Sequence, residues 1–243
     1  MQENKRRKIR SFVRRPGRMT DSQARARLEH WPQFGIDYSA GRLDFASEFG
    51  GDAPIVLEIG FGNGETFVAQ AAANSENNYL GIEVHEPGVG HCLRRVAERE
   101  LGNVRVMAHD AVEVLEHQIG ESVLSRVNIY FPDPWPKKRH HKRRLLQPVF
   151  LNLLVTRLKP GGTLCIATDW ANYAEHIDEV SDDCAAFSLD LRREHGGEEP
   201  LDRPTTKFER RGLGKGHRIV DWRLLRVWRA EASAPCRGCQ ITK

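Results

Sequence analysis

Five short apolar runs, separated by longer amphipathic stretches, restrict this chain to one broad class of fold. The runs are Ile55–Ile59, Tyr79–Val84, Val104–Ala108, Val127–Phe131 and Thr163–Ala167. All have strand length, and the first, fourth and fifth are rich in β-branched or aromatic residues. Between and after them Glu65–Ala73, Gly88–Glu100, Ala111–Ile119, Leu145–Leu158 and Tyr173–Asp183 have the length and spacing of helices, and Gly161-Gly162 behind Lys159-Pro160 signals the end of the fourth. Such alternation predicts an α/β fold, Rossmann-like and doubly wound around a mostly parallel sheet, with ligands bound at the carboxyl ends of the strands. The pattern changes near the end, where Lys207–Arg210 and Ile219–Trp228 flank the Gly-rich GLGKG and are expected to form a C-terminal antiparallel hairpin. Residues 1–50 read as a basic arm and lead-in helix, 51–230 as the main domain and 231–243 as a tail.

Charge is segregated along the chain. The formal net charge is only +4, from 37 basic and 33 acidic residues. Residues 1–18 nevertheless hold eight basic side chains (Lys5, Arg6, Arg7, Lys8, Arg10, Arg14, Arg15 and Arg18) against the single acid Glu3, and KKRHHKRR at 137–144 adds six with no acid. Outside these blocks the chain carries 23 basic and 32 acidic residues, a net of −9. Two basic blocks suit a polyanion, and an acidic body suits something cationic. No run approaches the roughly 18 to 20 consecutive apolar residues of a membrane span, and the basic N-terminus lacks the apolar segment of a secretory signal. A soluble, cytoplasmic protein with no membrane association is expected. The odd number of cysteines (Cys92, Cys165, Cys184, Cys236 and Cys239) forms no disulfide framework and fits a reducing compartment. Cys236 and Cys239 make a C-x-x-C with no second ligand pair nearby, so no metal is expected.

The first run leads into Leu57-Glu58-Ile59-Gly60-Phe61-Gly62-Asn63-Gly64, a strand entering a tight glycine turn and a helix. A dinucleotide fingerprint would read G-x-G-x-x-G, whereas the spacing here is G-x-G-x-G with Glu58 at the strand end, where a pyrophosphate would be repelled. S-adenosylmethionine (SAM) fits better, since it lacks phosphate and is net cationic. The second run ends at Glu83, an acid able to accept hydrogen bonds from both ribose hydroxyls, and the third is followed by Asp110, placed to bond the adenine amino group. Glu58, Gly60, Gly62, Glu83 and Asp110 are therefore the candidate cofactor-binding residues.

The fourth run continues as Tyr130-Phe131-Pro132-Asp133-Pro134-Trp135-Pro136 and then the second basic block. The prolines hold a loop open and present a carboxylate and an indole. An aromatic side chain, a carboxylate and a phosphate-binding stretch together suggest a nucleic acid whose base enters the pocket. Guanine offers N1–H and its N2 amino group as adjacent donors to an ionised carboxylate. Its N7 lone pair lies in the ring plane and carries no proton, so methylation there needs alignment and a negative field rather than a general base.

The run FPDPWPKKRHHKRRL (131–145) resembles the signature of the bacterial tRNA (guanine-N7-)-methyltransferase family. So do LEIGFGNG (57–64), YLGIEVHEPGVGHCL (79–93), ATDW (167–170), RPTTKFERRG (203–212) and the N-terminal IRSFVRRPGR, which together reach from Ile9 to about Trp228. The resemblance implies a class I SAM-dependent methyltransferase fold and transfer of methyl from SAM to N7 of the guanine at position 46 in the tRNA variable loop. It further implies that Glu58, Glu83, Asp110 and Asp133 bind SAM, Asp133 also being catalytic, and that Lys137, Asp169, Thr206, Lys207, Phe208 and Glu209 contact substrate. Beside it, Asp169 reads as a further strand-end carboxylate that could share guanine recognition with Asp133. Lys207 and Thr206 could hold a phosphate or the methionine carboxylate, and Glu209 could tie an Arg or Lys into place. Two alternatives are an amino-group methyltransferase acting on adenine or cytosine, and a non-catalytic RNA-binding partner subunit. The single proline between Asp133 and Trp135 argues against the first, and the full set of donor-site residues against the second. tRNA is the expected partner; a monomer is expected, a homodimer stays open, and no protein partner is required.

Overall fold

The computed structural model describes residues 11–12, 18–197 and 203–227. Most of the basic arm, including Lys5, Arg6, Arg7, Lys8, Arg10, Arg14 and Arg15, lies outside these residues, as do Cys236, Cys239 and the rest of the tail.

Five parallel strands form most of one sheet: β1 (Ile55–Ile59), β2 (Asn78–Ile82), β3 (Val104–Met107), β4 (Leu124–Tyr130) and β5 (Leu158–Thr168). Two antiparallel strands, β6 (Phe187–His195) and β7 (Ile219–Arg226), complete it in the order β3-β2-β1-β4-β5-β7-β6. The linking helices are α3 (Glu65–Ala73), α4 (Glu86–Glu98), α5 (Ala111–His117), α6 (Pro148–Arg157) and α7 (Ala171–Asp182), preceded by α1 (Asp21–Phe34) and α2 (Phe45–Phe49). Side chains alternate faces along a strand, and β1 shows the result. Val56 packs with Phe67, Tyr79 and Val89 on the α3–α4 side, whereas Leu57 joins Leu115, Leu151 and Tyr173 on the α5–α7 side.

The expected elements fall close to where the periodicity puts them. α6 starts later than its apolar pattern, because Pro148 takes the first-turn position, where a missing N–H costs nothing. The antiparallel hairpin is present but built from other residues. Its first strand is β6, and Lys207–Arg210 instead open a helix, α8 (Lys207–Leu213). The physical cause is a capping box: Thr206 Oγ1 accepts from the Glu209 amide at 3.0 Å, and Glu209 Oε2 accepts from the Thr206 amide at 3.3 Å. In β6 the alternation that marks a strand is interrupted by a register shift between Leu189 and Leu191, which disguises it in the sequence.

Before the sheet, α1 is capped at Thr20 and packs on α4, so closely that a Cβ on Gly90 would stand 2.6 Å from the Gln23 carbonyl oxygen. The chain then passes beside β3, where the Ile36 amide donates to the Val106 carbonyl at 2.9 Å.

Candidate active site

The strand order reverses between β1 and β4, and a crevice opens there at the carboxyl ends of the strands. The turn from β1 into α3 has positive φ at Gly60, Gly62 and Gly64 (78°, 61° and 73°), a region open to glycine without strain. α4 closes on this turn from the side, and at Gly64 a Cβ would meet Cys92 Sγ at 2.6 Å.

Glu83 braces the same turn from the end of β2. Its Oε2 accepts from the Gly62 amide at 2.8 Å, and its Oε1 accepts from the Val84 and His85 amides at 2.7 and 2.9 Å. A carboxylate has about four acceptor positions. One is therefore left for a ribose hydroxyl, where the sequence suggested two. Asp110 follows β3 and caps α5, accepting from the Val112 amide at 3.0 Å. Asp133 follows β4, exposed between Pro132 and Pro134 and just past Phe131, whose φ of 52° turns the chain out of the sheet. Glu83, Asp110 and Asp133 line one cavity of about 370 Å³, with Ile59, Phe131 and Leu145 as apolar wall and Lys207 and Phe208 of α8 along one side. That volume lies within the roughly 300 to 1,000 Å³ of small-molecule sites.

A family model described as a methyltransferase matches residues 52–222. The tRNA (guanine-N(7)-)-methyltransferase of Alkalilimnicola ehrlichii is 54% identical over 220 residues, covering 88% of this chain and 91% of the relative. The chain belongs to the tRNA (guanine-N(7)-)-methyltransferase family. The enzyme of that name from Halorhodospira halophila is 52% identical over 216 residues, covering 88% of this chain and 94% of its own. Among solved structures, a 16S rRNA adenine methyltransferase from Catenulisporales acidiphilia with its cosubstrate SAM superposes with a TM-score of 0.56 at 20% identity, covering 79% of this chain and 97% of that one. An antibiotic-related methyltransferase gives 0.54 at 15%, covering 78% and 94%. The fold is that of the class I SAM-dependent methyltransferases.

In this member of the tRNA (guanine-N(7)-)-methyltransferase family, Glu58 lies on β1 behind the glycine turn. It is 4% exposed and sits beside a recess of about 30 Å³ that shares Gly60, Phe131 and Lys207 with the main cavity. Burial pushes its carboxyl up to about 8, against the pull of a hydrogen bond with Asn128 and of the nearby Arg126 and Arg203, while Glu83 adds to the rise. Glu58 Oε2 has no hydrogen-bond partner among the described residues. An orphaned carboxyl oxygen, whose ionisation a bound cation would favour, suits the α-ammonium of SAM, and a cavity walled by acids suits a cation without phosphate. The residues present fit SAM.

An acid whose folded pKa lies above its unfolded 4.5 contributes stability that is full below about 4.5 and lost as pH rises through about 8. Glu58→Gln keeps the site neutral at every pH. Without SAM, its melting temperature is expected to fall less than that of the wild type between about pH 5 and pH 8, measured as paired thermal melts. Parallel curves would show that Glu58 does not titrate in this window.

Other sequence candidates are placed elsewhere. Asp169 lines a separate cavity of about 650 Å³, where its Oδ2 lies 3.0 Å from His217 Nδ1, so it does not join Asp133 in one pocket. Lys137 is exposed and precedes a 3-10 turn (Lys138–Arg143). Trp135, expected to be exposed for a base, is half-buried: its Nε1 donates to the Ser11 carbonyl at 3.0 Å, and Arg143 lies over the ring. Not all of the basic block faces outward either. Arg144 is buried, donating to the Pro134 carbonyl at 3.0 Å and to Asn172 Oδ1 at 2.8 Å, and so ties the Asp133 loop to α7. Thr206 and Glu209 start α8 rather than line the main cavity; Lys207 and Phe208 between them do.

Sequence reasoning missed the polar chain beneath Glu58. Arg126 Nε donates to Asn128 Oδ1 at 2.8 Å, and Asn128 Nδ2 donates to Gln70 Oε1 at 3.2 Å. The signal was available, since Asn128 is a fully buried amide inside an apolar strand, directly across the ladder from Glu58.

Proposed function

We propose that this chain transfers the methyl group of SAM to N7 of a guanine in tRNA, at position 46 of the variable loop, giving 7-methylguanosine. The observation that carries the reading is the cavity at the β1–β4 reversal, walled by Glu83, Asp110 and Asp133 and followed directly in the chain by a basic turn. When bound, SAM supplies an electrophilic methyl group on a sulfonium. Glu83 takes a ribose hydroxyl, Asp110 the adenine amino group and Glu58 the α-ammonium, while the glycine turn lets the backbone approach closely. Asp133 accepts from guanine N1–H and N2, which fixes the ring so that the in-plane N7 lone pair is aimed at the methyl group. Its negative charge also stabilises the ring as it becomes cationic, and no proton has to be removed. The exposed Lys138, Arg139 and Lys142 hold RNA phosphates.

The test is incubation with methyl-labelled SAM and bulk tRNA, followed by nucleoside analysis. Label is expected in 7-methylguanosine. Label in N6-methyladenosine, or none in tRNA, would overturn the reading.

A further inference from the structure

Behind Phe131 lies a buried charge cluster that touches neither the main cavity nor solvent. The Arg203 side chain is fully buried. Its Nε donates to Asp221 Oδ1 on β7 at 2.9 Å, and its Nη1 donates to Glu209 Oε2 on α8 at 2.5 Å. His195 of β6 closes the cluster, with its Nε2 2.8 Å from Asp221 Oδ2. The guanidinium also lies 5.3 Å from the ring centroids of both Tyr130 and Phe131, the last residue of β4 and the first beyond it. Arg203 thus joins three parts of the molecule: the antiparallel pair, the start of α8 and the tip of β4. A planar guanidinium can do this because its edge carries donors for two carboxylates while its face stacks on aromatic rings.

What it holds is the frame of the site. Phe131 is a non-glycine residue at positive φ, and Asp133 stands two positions beyond it. Glu209, held by Arg203, belongs to the capping box that starts α8 at Lys207 and Phe208. Two walls of the cavity, one from β4 and one from α8, therefore share a single buried anchor.

We infer that Arg203 is a positioning residue for methyl transfer: through Phe131 it sets the aim of Asp133, and through Glu209 it sets the part of the wall that α8 supplies. The inference rests on the function proposed above. A purely structural ion cluster would predict only lost stability on mutation. Positioning predicts lost turnover in folded protein, because a small displacement of an aligning group costs rate rather than ground-state binding.

The experiment compares wild type with Arg203→Lys, which keeps the charge but loses the planar face and the fork. In the folded variant, kcat is expected to fall about ten- to hundred-fold. Affinity for SAM by calorimetry, and KM for tRNA, should stay within about three-fold. Phe131→Leu should lower kcat similarly, and the double variant should lose less than the product of the two. Should Arg203→Lys fail to fold, Asp221→Asn loosens one of the two anchors from outside the cavity and should show the same split. A kcat within two-fold of wild type in the folded variant, or losses that multiply fully, would overturn the inference while wild-type 7-methylguanosine left the function standing. A wild type that leaves tRNA guanine unmethylated would overturn both.

Discussion

Asp133→Ala is expected to lower turnover by about 10²- to 10³-fold while tRNA affinity changes only a few-fold. The magnitude follows from removing one preorganised group aimed at developing charge, typically about 3 to 4 kcal/mol of barrier. Binding should survive because the basic turn, proposed above to hold RNA phosphates, is left intact. Asp133→Asn sharpens the test. The amide keeps one acceptor oxygen but turns an NH2 toward the guanine donors and removes the negative field, so it should rescue little. Single-turnover rates with SAM in excess would separate this loss from product release. Wild-type rates in Asp133→Ala would remove Asp133 from the reaction.

Glu83→Ala is expected to abolish measurable SAM binding, a loss of more than about 100-fold. Three backbone amides, of Gly62, Val84 and His85, would lose their acceptor together. An unsatisfied amide costs about 1 to 3 kcal/mol where water cannot replace the partner, and Gly62 and Val84 are half-buried while His85 is exposed, so the cost falls mainly on the first two. The Gly62 amide belongs to the turn proposed to cradle the donor, so the damage would reach the whole loop as well as the proposed ribose contact. Glu83→Gln keeps one oxygen and sets an N–H against an N–H at the other, so calorimetry should show it nearly as weak. Unchanged affinity in both variants would mean that the glycines and α4 hold the turn unaided.

Much of this was legible before any coordinates. The strand-end acids Glu58, Glu83 and Asp110 stand out because a charge at the end of an apolar run is uncommon, although Glu83 and Asp110 also serve the backbone, bracing the glycine turn and capping α5. Asp133 was legible because prolines on both sides forbid a regular element. What the sequence hid was pairing at a distance. Lys207–Arg210 reads as a hairpin strand because so short a segment shows no helical period, and the capping box between Thr206 and Glu209 that turns it into a helix is not visible as periodicity. Trp135 looked like a base platform because nothing in its neighbourhood reveals a bond to Ser11, 124 residues away. Asp169 shares the strand-end logic of the other acids, but it packs against the C-terminal end of α8 and lines another cavity; a Cβ at Gly212 would stand only 2.7 Å from its Oδ2. Glu209 does tie an Arg into place, namely Arg203 six residues before it, but the other partners of Arg203, Asp221 on β7 and the rings at the end of β4, leave no local sign.

The two margins of the sheet carry a consequence for association. An unpaired strand edge is a template on which another chain can add, and proteins that must stay dispersed blunt it. Here the β3 margin is occupied by the chain's own Gly35–Ile36 segment. The β6 margin is studded with Asp190, Arg192, Arg193 and Glu194, and three of these four pair with Arg223, Asp178 and Arg218. Both ends of the seven-strand ladder are thereby poor starting points for intermolecular β-addition.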